Sequence, residues 1–225
     1  MQVAIDNVFA RVEGAVVPER RSRGFTYETT LKRVIDILLA TLALIISLHI
    51  WVGVMIAIKA ESRGPVIFMQ ERVGLHGRPF RFYKFRSMYD GSDALKAQLS
   101  HLNEVDGPVF KLRRDPRVTR VGRLLRRTSL DELPQLINVI IGDMSLVGPR
   151  PAVPAEVERY ELPDLVRLTV KPGITCWWQV RGRSSCGFQA WMDYDREYVS
   201  GLSLWVDIHI LARTVWAVAS CRGAY

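Results

Sequence analysis

The chain has 225 residues, 48% hydrophobic and 24% charged, with a formal net charge of +8. That size accommodates one domain with a real core, or one domain plus an appendage, and the charge favours anionic partners: nucleic acid, anionic lipid or phosphorylated substrates. The three cysteines, Cys176, Cys186 and Cys221, are odd in number and lack zinc-finger spacing, which excludes a disulfide framework and reads as reduced thiols facing a cytoplasm.

Residues 1–30 read as a flexible tail, with Gly14, Pro18, the basic run Arg20, Arg21 and Arg23, and no sustained periodicity. They do not make a signal peptide, because the apolar stretch comes later and no small-residue cleavage site follows it. That stretch, 34–58, is long enough to cross a bilayer core, which takes ~20 mainly apolar helical residues. Soluble core helices rarely stay apolar on every face for so long. Lys32 and Arg33 precede it, and Lys59, Arg63 and Arg72 follow it. Both flanks are basic, so the positive-inside rule keeps both ends in the cytoplasm. Asp36, Ser47 and His49 lie within it, and a charge in lipid is costly. A helix that enters one leaflet, bends and returns reconciles these facts. The expected organisation is a tail over 1–30, a membrane-associated helix over 31–60, and a basic soluble domain over 61–225.

Within that domain, Gly64-Pro65 marks a turn. Val66 to Met69 and Phe80 to Phe85 read as strands separated by the turn-rich segment Gly74 to Pro79. Helices are expected over Asp90 to His101, over Leu133 to Ile141 ended by Gly142, over Ala155 to Tyr160, and over an amphipathic Leu202 to Ser220 carrying Trp205 and Trp216. Pro149-Arg150-Pro151 is extended, and Lys171-Pro172-Gly173 is a turn. The tryptophans default to core packing, with anchoring at a bilayer surface as the alternative.

Asp131 and Glu132 stand side by side, flanked by Arg123, Arg126 and Arg127 and followed by Arg150. One reading is a helix cap: Ser129-x-x-Glu132 fits a capping box, and Asp131 as N-cap would put Pro134 in a tolerant first turn. The other reading is a site in which a carboxylate pair at a helix N-terminus holds a divalent metal and attacks a phosphate. These residues by themselves leave both open. Cations are dense from Arg72 to Arg127, Lys84 and Arg86 among them. They could form a solvated face, a nucleic-acid surface or an arginine-lined diphosphate site. Acids pointing into the cations argue against nucleic acid and for the diphosphate. Arg150 between two prolines could be a rigid turn or a preorganised phosphate ligand. Gly182 with Arg181 and Arg183 could be a loop presenting cations, and Asp193, Asp195 and Glu197 read as the polar face of a helix.

These residues also carry a family resemblance. From Lys32 to the C-terminus the chain resembles the monotopic phosphoglycosyl transferases, bacterial sugar-phosphate transferases that begin exopolysaccharide synthesis. The matching blocks include Lys32-Arg33-x-x-Asp36, Gln70-x-Arg72-Val73-Gly74, Tyr83-Lys84-Phe85-Arg86-Ser87-Met88, Asp115-Pro116-Arg117, Leu125 to Leu136, Gly142 to Pro151 and Lys171-Pro172-Gly173-Ile174-Thr175. The resemblance implies an α+β fold in which a membrane-embedded, re-entrant N-terminal helix carries a small, helix-rich cytoplasmic catalytic domain. It implies that Asp131 attacks the β-phosphate of a UDP-sugar and releases UMP. Undecaprenyl phosphate then accepts the sugar phosphate from the aspartyl intermediate. Asp131 and Glu132 would hold Mg²⁺, and Lys84, Arg86, Arg126, Arg150, Arg183 and Asp195 would bind substrate. The expected location is the inner membrane with the catalytic domain facing the cytoplasm. The expected sugar is galactose or glucose, and the expected partners are membrane lipid and downstream glycosyltransferases, with an oligomer allowed and no nucleic acid. The alternatives are a membrane-tethered nucleic-acid or anionic-lipid binding module, and a metal-dependent phosphodiesterase. Two departures stand out: Leu48-His49 replaces the family's mid-helix Ser-Pro, and Thr175-Cys176 replaces its Thr-Gly. The larger transmembrane region of some relatives has no counterpart, so a minimal form is expected.

Overall fold

A computed structural model describes residues 27–182 and 186–219. Most of the expected tail, 1–26, lies outside them. After a π-helical turn, Tyr27–Leu31, the chain enters helix α1, Lys32–Glu61. Its 30 residues are ~45 Å long at 1.5 Å per residue, and the helix is unbroken at Leu48-His49. Its buried side chains are Lys32, Asp36, Ala40, Ser47, Val54 and Ile58. Leu44, Ile50 and Trp51 are partly buried between them. Steps of three and four trace one stripe along the whole helix. The other faces are apolar and bare: Leu38 is 63%, Ile46 61% and Ile56 65% exposed.

Of the polar residues within the apolar segment, Asp36 is an anchor, Ser47 Oγ donates to the Leu44 carbonyl of its own helix and His49 is exposed; the charged residues at the two ends of α1 are anchors as well. Lys32 Nζ donates to the Val147 carbonyl at 3.1 Å and pairs with Asp207. Arg33 donates to the Val139 and Ile140 carbonyls. Asp36 accepts the Leu146 N–H at 3.0 Å. At the far end, Glu61 accepts the N–H groups of Arg120 and Val121 at 2.6 and 2.8 Å. Those are orphan donors in the first turn of the next helix. Both ends of α1 are therefore bonded to one domain.

That domain begins with an antiparallel pair, β1 (Ile67–Val73) and β2 (Pro79–Phe85), in register from Ile67↔Phe85 to Val73↔Pro79. The segment expected as a helix over Asp90 to His101 forms two short 3-10 turns, Ser92–Lys96 and Ser100–Leu102. Nearly every side chain from Asp93 to Ala97 is exposed, so no apolar stripe pays for the ordering of a longer helix.

Helix α2, Arg120–Thr128, had no counterpart among the expected elements. It is capped by Thr119, whose Oγ1 accepts the Gly122 N–H at 2.8 Å. Gly122 sits where a Cβ would meet the Ser87 carbonyl at 2.0 Å, so the basic helix lies directly on the chain that follows β2. Helix α3, Gln135–Ile141, ends at Gly142 with φ 103°, as expected of a C-terminal glycine. A short parallel pair follows, β3 (Ser145–Val147) and β4 (Gly173–Thr175). Here a Cβ on Gly173 would lie 2.1 Å from the Gly148 nitrogen, so the two backbones touch. The remaining α-helices among the described residues are α4 (Pro154–Val157), α5 (Trp177–Arg181), α6 (Phe188–Gly201) and α7 (Leu204–Ala219), and a 3-10 helix, Leu162–Thr169, lies between α4 and β4.

Two of the core clusters form against α1, and two others lie within the domain, around Tyr160 and Leu165 and around Trp177 and Tyr198. Ala40 packs with Phe82, Leu136, Val139 and Met144, and Val54 and Ile58 pack with Phe85 and Leu125. On α7, Trp205 and Trp216 are 77% and 75% exposed, so core packing is not their role. The architecture is mixed helix and strand, dominated by helices, with one long apolar helix of sufficient length and composition to cross a membrane.

Candidate active site

The carboxylate pair lies in a 3-10 turn, Leu130–Glu132, between two helices. Neither version of the helix-cap reading holds. Ser129 is the C-cap of α2, in the left-handed region at φ 58°, with its N–H on the Arg126 and Leu125 carbonyls. No side chain caps the 3-10 turn, and α3 starts only at Gln135, after Pro134. The reversal at Ser129 turns the chain back over the end of α2. Asp131 thereby faces Lys84 of β2 and Arg126 of its own preceding helix.

Five of the expected site residues line one cavity of about 270 Å³: Lys84, Arg126, Asp131, Glu132 and Arg150. Asp131 is buried, 8% exposed. Burial and the neighbouring Glu132 push its carboxyl up to about 6, against the pull of Lys84, Arg126 and Arg150. Burial and the adjacent Arg126 push Lys84 down to about 8. Glu132 is held between Arg150, whose Nη1 is 3.4 Å from Oε1, and Gln179, whose Nε2 is 3.3 Å from Oε2. Arg126 is aimed by its Nε, which donates to Ser87 Oγ at 3.0 Å.

The same cavity has aromatic walls: Phe110, Trp178, Phe188 and Trp191 line it. Trp178 stacks on Trp191 with ring centroids 4.7 Å apart, and Lys111 and Arg150 sit over the Trp178 ring at 5.5 and 5.9 Å. The wall containing Lys111 is a loop folded on Asn103. Asn103 Oδ1 accepts the Lys111 N–H at 2.8 Å, and its amide donates to the Val105 and Val109 carbonyls. Trp178, Gln179, Phe110 and Phe188 were not singled out as site residues. They come from α5, α6 and a loop far apart in sequence, and no local pattern distinguishes them from core residues.

Two expected substrate ligands fall elsewhere. Arg86 is buried, and its Nη2 donates to the Ser62 carbonyl and hydroxyl at 2.8 Å, fastening the exit of α1. Asp195 is not on a polar helix face: it is 2% exposed and pairs with Arg167 at 3.0 Å. Burial, outweighing the pull of Arg167, pushes Asp195 up to about 6. Arg183 lies outside the described residues. The basic segment is not a uniform ligand surface either, since Arg117 is buried in a two-pronged pair with Asp115.

Among the described residues no group of three or more His, Cys, Asp and Glu side chains could hold a metal. Two adjacent carboxylates still suit Mg²⁺, which takes one or two protein carboxylates and completes its shell with water and substrate phosphate. The raised Asp131 carboxyl is in keeping with a pair whose mutual repulsion a divalent cation would relieve.

Comparison with known proteins agrees with the geometry. The pattern of the bacterial sugar transferases matches residues 27–221. The chain is 43% identical over 203 residues to an undecaprenyl-phosphate galactose phosphotransferase of Salmonella typhimurium, covering 87% of this chain and 42% of that protein. It is 43% identical over 204 residues to a UDP-glucose:undecaprenyl-phosphate glucose-1-phosphate transferase of Escherichia coli K12, covering 87% and 41%. It is 38% identical over 198 residues to the exopolysaccharide production protein ExoY of Rhizobium meliloti, covering 86% and 88%. The chain thus spans less than half of the first two relatives and most of the third.

Proposed function

The chain belongs to the bacterial sugar transferase family, and from that membership we propose that it moves a sugar 1-phosphate from a UDP-sugar to undecaprenyl phosphate, releasing UMP. The observation that carries this reading is the cavity itself. A buried carboxylate among cations shares one cavity with an aromatic lining. That pairing suits a nucleotide diphosphate, with anionic and planar parts.

In the proposed reaction an Asp131 carboxylate oxygen attacks the β-phosphorus, and the bond from that phosphorus to the bridging oxygen breaks. UMP departs with the bridging oxygen, leaving a sugar-phosphoryl aspartate. A phosphate oxygen of undecaprenyl phosphate then attacks the same phosphorus, and Asp131 leaves as a carboxylate. Dividing the reaction lets one cavity serve two unlike substrates in turn. Lys84, Arg126 and Arg150 offset charge on the phosphoryl oxygens, and do so more strongly in a half-buried site than in water. Mg²⁺ held by Asp131 and Glu132 would supply further charge neutralisation at the diphosphate. The names of the relatives support galactose or glucose as the sugar, and exopolysaccharide synthesis as the setting.

The acceptor is a membrane lipid, and α1 suits that location. Both of its ends bond to the same domain, so a perpendicular span with the ends on opposite sides would tear one set of bonds. We therefore place α1 in the cytoplasmic leaflet of the inner membrane with both ends on the cytoplasmic side, an arrangement a re-entrant path shares.

The test is UMP release by the full chain in lipid nanodiscs with UDP-galactose or UDP-glucose and Mg²⁺. Without acceptor, one equivalent of UMP and a protein mass increase of one sugar phosphate are expected. With undecaprenyl phosphate, release continues. Continuous release without acceptor would instead identify a phosphodiesterase. No release with any UDP-sugar, together with steeply salt-dependent nucleic-acid binding, would identify a binding module.

A further inference from the structure

The loop that carries Arg150 is held in an unusual way. Gly148-Pro149-Arg150-Pro151 contains two residues with no N–H, so the loop can be fixed chiefly through its carbonyls. Four consecutive carbonyls are taken by three separate parts of the chain: Gly173, Arg167 and the end of β1. The Pro149 carbonyl accepts the Gly173 N–H at 2.9 Å, and the Ala152 carbonyl accepts the Val73 N–H at 2.9 Å. The two between them accept from guanidinium groups. Arg167 Nη2 donates to the Arg150 carbonyl at 2.6 Å, and Arg72 Nη1 donates to the Pro151 carbonyl at 2.9 Å.

Both guanidiniums are themselves fixed. Arg167 is 3% exposed, pairs with Asp195 at 3.0 Å, and donates to the Tyr160 hydroxyl at 2.8 Å. Arg72 donates to Gln70 Oε1 at 2.8 Å and lies over the Phe82 ring. Neither residue lines the cavity. With the backbone pinned on both sides, the Arg150 side chain is the part of the loop left to reach the cavity, where it sits against Glu132 and the Trp178 ring.

We propose that Arg72 and Arg167 are positioning residues: they hold the successive carbonyls of Arg150 and Pro151 and so set where the Arg150 guanidinium meets the diphosphate. Asp195 acts at one further remove, by orienting Arg167. This accounts for an acid that resembles an active-site residue yet lies outside the cavity. The inference rests on the reading of the cavity as a UDP-sugar site. Charged donors make the stronger hydrogen bonds, and small displacements of a positioning group carry large costs in rate. A loop fixed by two guanidiniums therefore differs from one that merely folds.

The test is a double-mutant cycle on UDP affinity, using the full chain in nanodiscs with Mg²⁺. Arg167→Gln, Arg72→Gln and Arg150→Ala are each measured alone, and each clamp variant is measured again in the Arg150→Ala background. Each clamp variant alone is expected to weaken UDP binding about tenfold. In the Arg150→Ala background the same change should have little further effect, because the group it positions is gone. Equal losses in both backgrounds mean that Arg72 and Arg167 act independently of Arg150, and overturn the clamp while leaving the site intact. Wild-type protein that does not bind UDP overturns the clamp together with the site reading. Arg72→Gln, on the half-buried side, carries the test if Arg167→Gln fails to fold.

Discussion

The Asp36 carboxylate accepts the backbone N–H of Leu146 at 3.0 Å, tying an apolar helix to the first residues of the strand that leads to Arg150. An acid inside an apolar segment looks like an error in lipid. Here it is 4% exposed and faces the domain. Together with Lys32, which reaches the Val147 carbonyl, it links the apolar helix to the loop of the site. Removing the acceptor leaves a buried N–H unsatisfied, which costs about 1–3 kcal/mol. Asp36→Ala should therefore lower the unfolding free energy in nanodiscs by about that amount, and Asp36→Asn, which keeps an acceptor oxygen, should recover most of it. An Asp36→Ala protein as stable as wild type would remove the anchor assignment.

Asp131→Asn should abolish UMP release and the sugar-phosphate mass adduct while leaving the fold and UDP binding in place. The amide cannot act as the nucleophile, yet it occupies the same volume in the 3-10 turn. Expected loss of turnover is about 10³-fold or more, on the scale seen when a nucleophile is removed. Retained turnover in this variant would eliminate Asp131 as the attacking group.

Lys84 should report its charge state through pH. Burial and Arg126 hold it near 8, so its positive charge is complete well below that pH and lost above it. UDP affinity should fall as pH rises through about 8. Lys111, in the same cavity, is also pushed down to about 8 by burial, so Lys84→Arg, which stays charged throughout, should remove the Lys84 share of that limb and make it shallower. Parallel pH profiles for the two proteins would show that some other group is responsible.

Asp195 should shape stability at lower pH. Its carboxyl is raised from 3.8 to about 6, chiefly by burial. A raised folded value means that the stabilising contribution is complete below about 4 and lost as pH rises through about 6. Over that window wild type should lose up to about 1.4 kcal/mol per pH unit relative to Asp195→Asn. Chemical unfolding at a series of pH values measures the two slopes. Groups common to both proteins cancel in the difference, so identical slopes would refute the assignment.

The topology of α1 can be read by cysteine labelling. Single cysteines at Ser62 and at Thr30, beyond the two ends of the helix, introduced after Cys176, Cys186 and Cys221 are replaced by serine, should both be shielded from a membrane-impermeant periplasmic reagent in intact cells. Both should react once the inner membrane is opened. Periplasmic labelling at either position would rule out the shared cytoplasmic side.

Much of this protein is written locally. The apolar run over 34–58, the two strands with their turn, and Gly142 as the end of a helix follow from side-chain period and backbone chemistry. The clustering of cations near Asp131 and Glu132 also marked the neighbourhood of the site. What the sequence did not disclose depends on long-range contact. Helix α2 is basic, with Gly122 set against Ser87, and its reversal at Ser129 moved the acid pair off a helix N-terminus into a turn. Arg86 and Lys84 are two residues apart on one motif, yet one fastens α1 and the other lines the cavity. Strand alternation would put both on one face, but β2 ends at Phe85, so packing past the strand end decides which of the two reaches the cavity. The sequence by itself determined that an apolar helix, a cationic domain and an acid pair belong together. The tertiary structure alone decided that Asp195 pairs with Arg167 outside the cavity. It also decided that the aromatic wall comes from distant helices, and that both ends of α1 bind one domain. Burial and hydrogen-bond partners are properties of the folded contacts, not of the neighbours along the chain.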